Sequence, residues 1–206
     1  VANGSWLAGL VKEALDLAIK SRPGPVVVSC PMDAQSDETP GRMAWGHRVV
    51  GRPGGDHEGP AIIDAAAVSD VMAKLNASKR PVIIAGRGCL SAVDELRAFV
   101  EAHARIPVVT SMPAVGAIPT DWVQCFGMLG HTGTERANRA VADADFVLVL
   151  GARLDVRQTG TMVDDWSDGK YVVVVDYDAD ELVHKRVRVD DRFNFSVKEW
   201  LQEAMR

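Results

Sequence analysis

The sequence has 206 residues, of which 47% are apolar and 25% are charged, and its net charge is −5. These values are typical of a globular protein with a substantial core, and the negative charge disfavours nucleic acid and anionic membranes as partners. No run approaches the roughly 18 apolar residues of a membrane-spanning helix, and no basic segment precedes an apolar one at the start. Neither a membrane span nor a secretion signal is therefore predicted.

The cysteines and two of the histidines predict no metal site. Cys30, Cys89 and Cys125 are widely spaced, so we expect reduced, mostly buried thiols in a cytoplasmic protein. His47 and His57 have no acidic or cysteine partner at ligand spacing. We interpret both as solvated loop histidines.

Residues 1–35 predict one helix and one strand. Apolar residues recur at helical spacing over residues 5–20, and Arg22-Pro-Gly-Pro ends that helix. Val26-Val27-Val28 then predicts a buried strand, which Pro31 ends. This pair is too small to fold alone, so we interpret it as the tail of a preceding domain. Residues 36–60, rich in glycine and proline, are typical of an interdomain linker.

Residues 61–206 predict a more regular unit of alternating strands and helices. Apolar runs indicate strands at Pro81–Ala85, 107–110, Phe146–Leu150, Tyr171–Val175 and 186–189. Periodicity indicates helices at 64–77, 92–104, 134–144, 180–184 and 196–205, with Ser91 capping the second. Right-handed crossovers then predict an α/β fold, a doubly wound, mostly parallel, Rossmann-like sheet of five or six strands with helices on both faces.

The stretch from Gly127 to Gly160 is the centre of this unit. Gly127, Gly130 and Gly133 predict a glycine-rich turn before the helix that starts at Thr134. Glycines permit close approach of a ligand to the backbone, and a helix start offers free N–H groups to an anion. Ligands of parallel sheets bind beyond the carboxyl ends of the strands. We therefore expect a nucleotide-shaped ligand at this edge.

Two further segments at strand ends are candidate phosphate contacts. Gly86-Arg87-Gly88 has the setting of a phosphate loop but lacks the third glycine of the dinucleotide fingerprint, and a tight turn is the alternative. Arg153 and Arg157, on either side of Asp155, can grip a diphosphate bidentately. An interdomain ion-pair cluster is the alternative for these three residues.

Three more residues are candidates at the same edge. Asp176 and Asp178 follow a predicted strand, where a carboxylate can accept both ribose hydroxyls of an adenosine. Capping of the next helix is the alternative. His131 lies between glycines with no nucleophile in view, so we assign it a positioning role. No catalytic residue is predicted.

Several segments occur in the order and at the spacing of one known family. They are Arg22-Pro-Gly-Pro-Val, Arg80-Pro-Val-Ile-Ile-Ala-Gly-Arg-Gly, Ile106-Pro-Val-Val-Thr-Ser, Gly127-Met-Leu-Gly-His-Thr-Gly-Thr, Gly151-Ala-Arg-Leu-Asp-Val-Arg-Gln-Thr-Gly and Asp176-Tyr-Asp. Over about residues 22–189 the chain thus resembles the middle domain of thiamine-diphosphate-dependent enzymes of the acetolactate synthase type. The parent enzyme implied by the resemblance is a carboligase or decarboxylase of 2-oxo acids.

The resemblance also implies which cofactors are involved. Thiamine diphosphate and magnesium bind to the two other domains of the family, whose catalytic glutamate and magnesium motif have no counterpart here, so the fragment alone should be inactive. In acetolactate synthases the middle domain binds FAD, which has no redox part in the main reaction, and some relatives bind ADP or nothing. The implied FAD contacts are Arg22, Gly86, Arg87, Gly88, Thr110, Met128, Leu129, Gly130, His131, Gly151, Ala152, Arg153, Asp155, Arg157 and Asp176.

The implied partners are the flanking domains of the same chain, and we expect the parent to be a homo-oligomer. Two alternatives to a cofactor-binding domain stay open. One is a structural domain that bridges its neighbours and serves dimer contacts, with an empty nucleotide site. The other is a stand-alone nucleotide-binding module.

Overall fold

A computed structural model describes residues 7–19, 24–32, 35, 63–183 and 185–206. The chain divides into two compact units, Val1–Gly59 and Pro60–Arg206. The linker predicted over residues 36–60, with His47 and His57, lies outside the described residues, as does Arg22.

The first unit contains the predicted helix, but the predicted strand is wrong. Helix α1 covers Leu7–Ile19, and an ion pair of 2.8 Å joins Lys12 to Asp16 one turn later. No strand occurs in residues 24–32, and 90% of Val27 is exposed. A strand needs a neighbour to complete its hydrogen-bond ladder, and none of the described residues pairs with this segment.

The second unit is built on one six-stranded sheet in the order β3-β2-β1-β4-β5-β6. All neighbouring strands are parallel, which confirms the predicted doubly wound α/β fold. Strands β1, β4 and β5 have the predicted bounds. The strands are β1 (Pro81–Ala85), β2 (Val108–Thr110), β3 (Cys125–Met128), β4 (Phe146–Leu150), β5 (Tyr171–Val175) and β6 (Asp191–Phe193).

Helices cover both faces of the sheet, so successive strand residues enter two different cores. Ile83 of β1 lies in one core with Leu148, and Ile84 lies in the other with Val149. The first core is closed by α2 (Ala65–Ala77), α3 (Val93–Ala102) and α8 (Val197–Ala204). The second is closed by α4 (Glu135–Ala142) and α7 (Ala179–Val183), and two short helices, α5 (Val156–Thr159) and α6 (Val163–Ser167), lie between β4 and β5.

Side-chain caps explain where three of these helices begin. Asp64 accepts hydrogen bonds from the N–H groups of Ala66 and Ala67, and Thr134 accepts one from Ala137. Ser196 forms a capping box with Glu199. Each cap satisfies donors that the first helical turn leaves unpaired. Ser91 is not a cap, because its hydroxyl donates to the carbonyl of Gly88, and α3 starts after Ala92 without a side-chain bond.

Two strand predictions differ from the structure for local reasons. The sequence predicts a turn at Gly127, but in the structure Gly127 continues strand β3 with a φ of 91°. The pairing of β3 with β2 shifts register between Val108 and Val109. A glycine at such an irregularity is compatible with a strand at the sheet edge. Residues 186–189 are not a strand: Val187 and Val189 are buried in the second core, and the ladder to β5 begins only at Asp191.

The fold predicts a large difference between two leucines. Leu148 is fully buried at the centre of the sheet, whereas 48% of Leu90 is exposed. We expect Leu148→Ala to lower the free energy of unfolding by about 2–5 kcal/mol, because it leaves a cavity. The control Leu90→Ala should cost less than about 1 kcal/mol. Urea unfolding measures both values, and similar losses would contradict this description of the core.

Candidate functional site

The candidate site lies where the strand order reverses. Strand β1 is paired with β2 on one side and with β4 on the other, and the chain leaves the sheet in opposite directions from these strands. In open α/β sheets, ligands bind beyond the carboxyl ends of strands at such a switch point. The loops that follow β1 and β4 carry the predicted segments Gly86–Gly88 and Gly151–Arg153.

The loops after β1 and β4 contact each other through their glycines. A Cβ added to Gly86 would lie 2.1 Å from the carbonyl oxygen of Gly151, and one added to Gly88 would lie 2.8 Å from the Cα of Gly151. The N–H of Gly86 donates to the carbonyl of Leu150 at 2.8 Å, and that of Gly88 to Gly151 at 3.0 Å. These glycines are therefore needed for backbone packing, the role that the tight-turn alternative assigned to Gly86 and Gly88.

The loop after β3 is fixed to the start of α5 in a similar way. A Cβ on Gly130, whose φ is 110°, would lie 2.3 Å from the carbonyl oxygen of Arg157. The same carbonyl accepts the N–H of His131 at 2.9 Å. The side-chain amide of Asn138 holds Gly130 from the other side, with bonds of 2.8 and 2.9 Å to its N–H and carbonyl.

The loop from Gly151 to Asp155 is held from several sides. Lys185 donates from Nζ to the carbonyls of Ala152 and Arg153, at 3.0 and 3.1 Å. Leu154 is fully buried at a φ of 56°, a strained conformation for a branched side chain. Asp155 caps α5 by accepting the N–H groups of residues 157 and 158, so its carboxylate has a structural partner.

Three arginines predicted to contact phosphate lie at this edge, Arg87 and Arg153 after β1 and β4 and Arg157 in the first turn of α5. Nε of Arg153 lies 3.0 Å from Oε1 of Glu181, and 68% of the Arg153 side chain is exposed. Arg87 and Arg157 are exposed, and within the part of the chain that the structure describes their side chains form no hydrogen bond or ion pair. Their guanidinium groups are consequently available to an anion.

The two aspartates after β5 differ in their contacts. Asp178 accepts the N–H groups of Asp180 and Glu181 at 3.0 and 3.4 Å, as the capping alternative predicted. Asp176 is half-buried, and its Oδ1 accepts the N–H of Asp178 at 3.0 Å. Neither contact excludes a further hydrogen bond, because a carboxylate has about four acceptor positions.

Beyond β2, the structure identifies a polar group that the sequence did not single out. The carbonyl of Thr110 accepts the N–H of Leu129, and Ser111 follows with only 3% of its surface exposed. Oγ of Ser111 is buried and has no hydrogen-bond partner among the described residues. A buried hydroxyl without a partner is costly, so it indicates a position that a water or a ligand can satisfy.

Cys89 lies at the switch point but is chemically inert. Its thiol is fully buried and lies 3.3 Å from the carbonyl oxygen of Leu150. Burial raises the pKa of Cys89 to about 12, which keeps it protonated at neutral pH. A thiolate nucleophile at this position is therefore excluded.

The fold thus brings all described candidates to the carboxyl edge of one sheet. Local sequence could not indicate Lys185 or Glu181, which reach the site from α7 and the segment after it. The contact between Asn138 and Gly130 also depends on the fold. Among the described residues, no group of three or more metal-ligating side chains occurs, and no helix is long and apolar enough to span a membrane.

The match to a family follows the same part of the chain. Residues 68–203 match the model of the family described as "Thiamine pyrophosphate enzyme, central domain". The chain belongs to this family. The match covers the sheet from β1 to β6 and the loops that carry the candidate residues.

Relatives of this central domain include complete acetolactate synthases. The chain is 37% identical over 176 residues to acetolactate synthase 1, chloroplastic, of Zea mays, covering 84% of the chain and 26% of the relative. It is 32% identical over 191 residues to the acetolactate synthase large subunit of Corynebacterium glutamicum, covering 88% of the chain and 28% of that relative. The chain therefore spans about a quarter of the length of these relatives.

Solved structures support the fold of the central domain. Benzoylformate decarboxylase from Polynucleobacter necessarius has a TM-score of 0.68 at 22% identity, and the match covers 100% of this chain and 37% of that one. At this identity the similarity establishes the fold alone.

The loop contact predicts different effects for two glycines with similar backbone conformations. Gly151 has a φ of 57° and Gly169 a φ of 68°, but only Gly151 has backbone atoms close to an added Cβ, with Cα of Gly88 at 2.5 Å. Gly169→Ala should cost about 1–2 kcal/mol for the left-handed conformation. Gly151→Ala should cost about 1–3 kcal/mol more, because the loops must separate. If urea unfolding shows the same loss of unfolding free energy for both variants, the loops do not need the close contact between Gly88 and Gly151.

Proposed function

We propose that this central domain binds an adenine nucleotide, preferably FAD, in a structural role within a thiamine-diphosphate-dependent enzyme that carboligates or decarboxylates 2-oxo acids. The observation that carries the proposal is the set of three arginines, Arg87, Arg153 and Arg157, on loops at the carboxyl edge of the sheet. Guanidinium groups at a switch point suit a diphosphate. The similarity to acetolactate synthases supports the identity of the parent enzyme.

In this site, side chains rather than the N–H groups of the glycines are the groups that can bind a nucleotide. The hydroxyl of Ser111, which has no hydrogen-bond partner among the described residues, supports a polar group of the ligand near the end of β2. The N–H groups of Gly86, Gly88, Gly130, His131 and Gly151 are already bonded within the protein, so these five donors are not available to a phosphate. These bonds run from Gly86 to Leu150, from Gly88 to Gly151, from Gly130 to Asn138, from His131 to Arg157 and from Gly151 to Val175.

The proposed arrangement follows the strand order. The diphosphate lies near the loops after β1 and β4, within reach of Arg153 and Arg157, and the adenosine approaches Asp176 after β5. FAD, when bound, would supply a large planar group that packs between domains, with no redox step in the main reaction. For the parent we propose magnesium and thiamine diphosphate on the flanking domains, a homo-oligomeric state and a cytoplasmic location.

One observation favours the second candidate function, a structural domain with an empty nucleotide site. The contact between Gly86, Gly88 and Gly151 satisfies the loop amides without any ligand. The glycines are then explained by packing alone, and the exposed arginines are free to pair with neighbouring domains. Ligand titration separates the two functions.

Binding of the nucleotide should depend on Arg153. We expect FAD, and more weakly ADP, to bind the purified chain. Arg153→Ala should weaken the binding free energy of FAD by about 1–2 kcal/mol, because a largely exposed charged partner is lost. The matched control is Arg139→Ala, since Arg139 is also exposed (77%) and ion-paired, with Asp143. Calorimetric titration measures each affinity. Unchanged FAD binding in Arg153→Ala contradicts the phosphate role, and no binding of either ligand favours the structural domain.

The chain alone should be catalytically inactive. Pyruvate and related 2-oxo acids, supplied with thiamine diphosphate and magnesium, should yield no product above a heat-treated control. The reason is that the resemblance assigns the catalytic glutamate and the magnesium motif to other domains. Measured turnover would mean that the chain carries a thiamine-diphosphate site of its own.

A further inference from the structure

The ion pair between Glu181 and Arg153 engages only one side of the guanidinium group. Oε1 of Glu181 lies 3.0 Å from Nε of Arg153, and 15% of the Glu181 side chain is exposed against 68% of the Arg153 side chain. In the described parts of the chain, no residue other than Glu181 forms an ion pair with the Arg153 side chain. The 3.0 Å contact is made by the inner nitrogen, Nε, and most of the Arg153 side chain stays exposed.

Both ends of this pair are anchored to the sheet. Glu181 lies in the first turn of α7, where its N–H bonds to Oδ1 of Asp178 at 3.4 Å and the next residue, Leu182, is buried. The carbonyl of Arg153 accepts a hydrogen bond from Lys185 at 3.1 Å. The backbone on each side is thus fixed, and the ion pair limits the rotamers that the Arg153 side chain can adopt.

A fixed guanidinium binds a phosphate more tightly than a mobile one. Arginine binds phosphate through two neighbouring N–H groups, and its flexible side chain loses rotamer entropy when it is immobilised. Because Glu181 holds Nε before any ligand arrives, part of this loss has already occurred in the folded protein. Nη1 and Nη2, with four N–H donors between them, then remain for the anion.

We propose that Glu181 is a positioning residue, which orients Arg153 so that Nη1 and Nη2 face the diphosphate of the bound nucleotide. This inference rests on the proposed nucleotide site and adds a residue outside the implied FAD contacts. The negative charge of Glu181 acts in the opposite direction, because it repels a phosphate. Charge and orientation can therefore be separated by substitution.

Two substitutions of similar volume make this separation. Glu181→Gln keeps an acceptor for Nε and removes the charge, whereas Glu181→Met removes both. Calorimetric titration with ADP, and with adenosine as the ligand without phosphate, compares the variants with the wild type. We expect Glu181→Gln to bind ADP as tightly as the wild type or up to about threefold more tightly. Glu181→Met should bind ADP about fivefold more weakly, and adenosine should be unaffected in both.

A double variant tests whether Glu181 acts through Arg153. Arg153→Ala combined with Glu181→Met should bind ADP no more weakly than Arg153→Ala alone, because the positioned group is already absent. Thermal unfolding shows which variants are folded. If Glu181→Met does not fold, the affinity of Arg153→Lys for ADP is measured instead. The single nitrogen of lysine is occupied by Glu181, so the affinity for ADP should fall to that of Arg153→Ala.

The outcomes distinguish this inference from the function on which it rests. If Glu181→Met tightens ADP binding as much as Glu181→Gln does, the carboxylate competes with the ligand and the positioning role is wrong. Additive losses in the double variant also overturn it. If the wild type binds ADP but Arg153→Ala binds equally well, the phosphate role of Arg153 fails, and the role of Glu181 with it. If the wild type binds no ADP, the nucleotide site itself is refuted.

Discussion

The backbone contact between the loops after β1 and β4 is the constraint on which the candidate site depends. These strands are neighbours at the centre of the sheet, so their loops leave it side by side. Gly86 and Gly88 approach Gly151 so closely that no Cβ fits at any of the three positions. Consequently the backbone segments that carry Arg87 and Arg153 are held together before any ligand is considered. A cationic edge results from packing that the fold needs for its own stability.

The contact between the loops after β1 and β4 also determines which groups can bind a ligand. Where a phosphate loop offers amides, these loops use theirs to bond each other and the strand ends, as Gly86 and Gly88 do. The side chains of Arg87, Arg153 and Arg157, which are long and exposed, can still contact an anion. Recognition through such groups costs rotamer entropy and is screened by salt, so affinity depends on residues that restrict them. In the proposed function, Glu181 restricts the Arg153 side chain and Lys185 holds the backbone that carries it, although neither is part of a glycine-rich segment.

The sequence was most informative where the residue type alone determines the structure. The β-branched runs at 81–85, 146–150 and 171–175 are buried on both faces and were predicted with the observed bounds. Strand β3 was not predicted, because Gly127 interrupts a short edge strand whose residues are only half-buried. At 186–189 the alternation of valines reflects burial in a core rather than pairing. Strand ends and glycines predicted that the candidate residues share one edge of the sheet, but the contacts from distant segments, such as Lys185 and Glu181, required the fold.

The loop from Gly151 to Asp155 combines strain with several independent restraints, and this combination has a mechanical consequence. Leu154 adopts a left-handed conformation that costs on the order of 1–3 kcal/mol, yet it is fully buried, so its packing offsets the strain. Lys185 holds the two preceding carbonyls, and Asp155 starts α5 immediately afterwards. With the backbone fixed on both sides, Arg153 can respond to a ligand only by rotating its side chain. Among the described residues, the ion-pair partner of that side chain is Glu181, so a rotation of Arg153 changes its contact with this carboxylate.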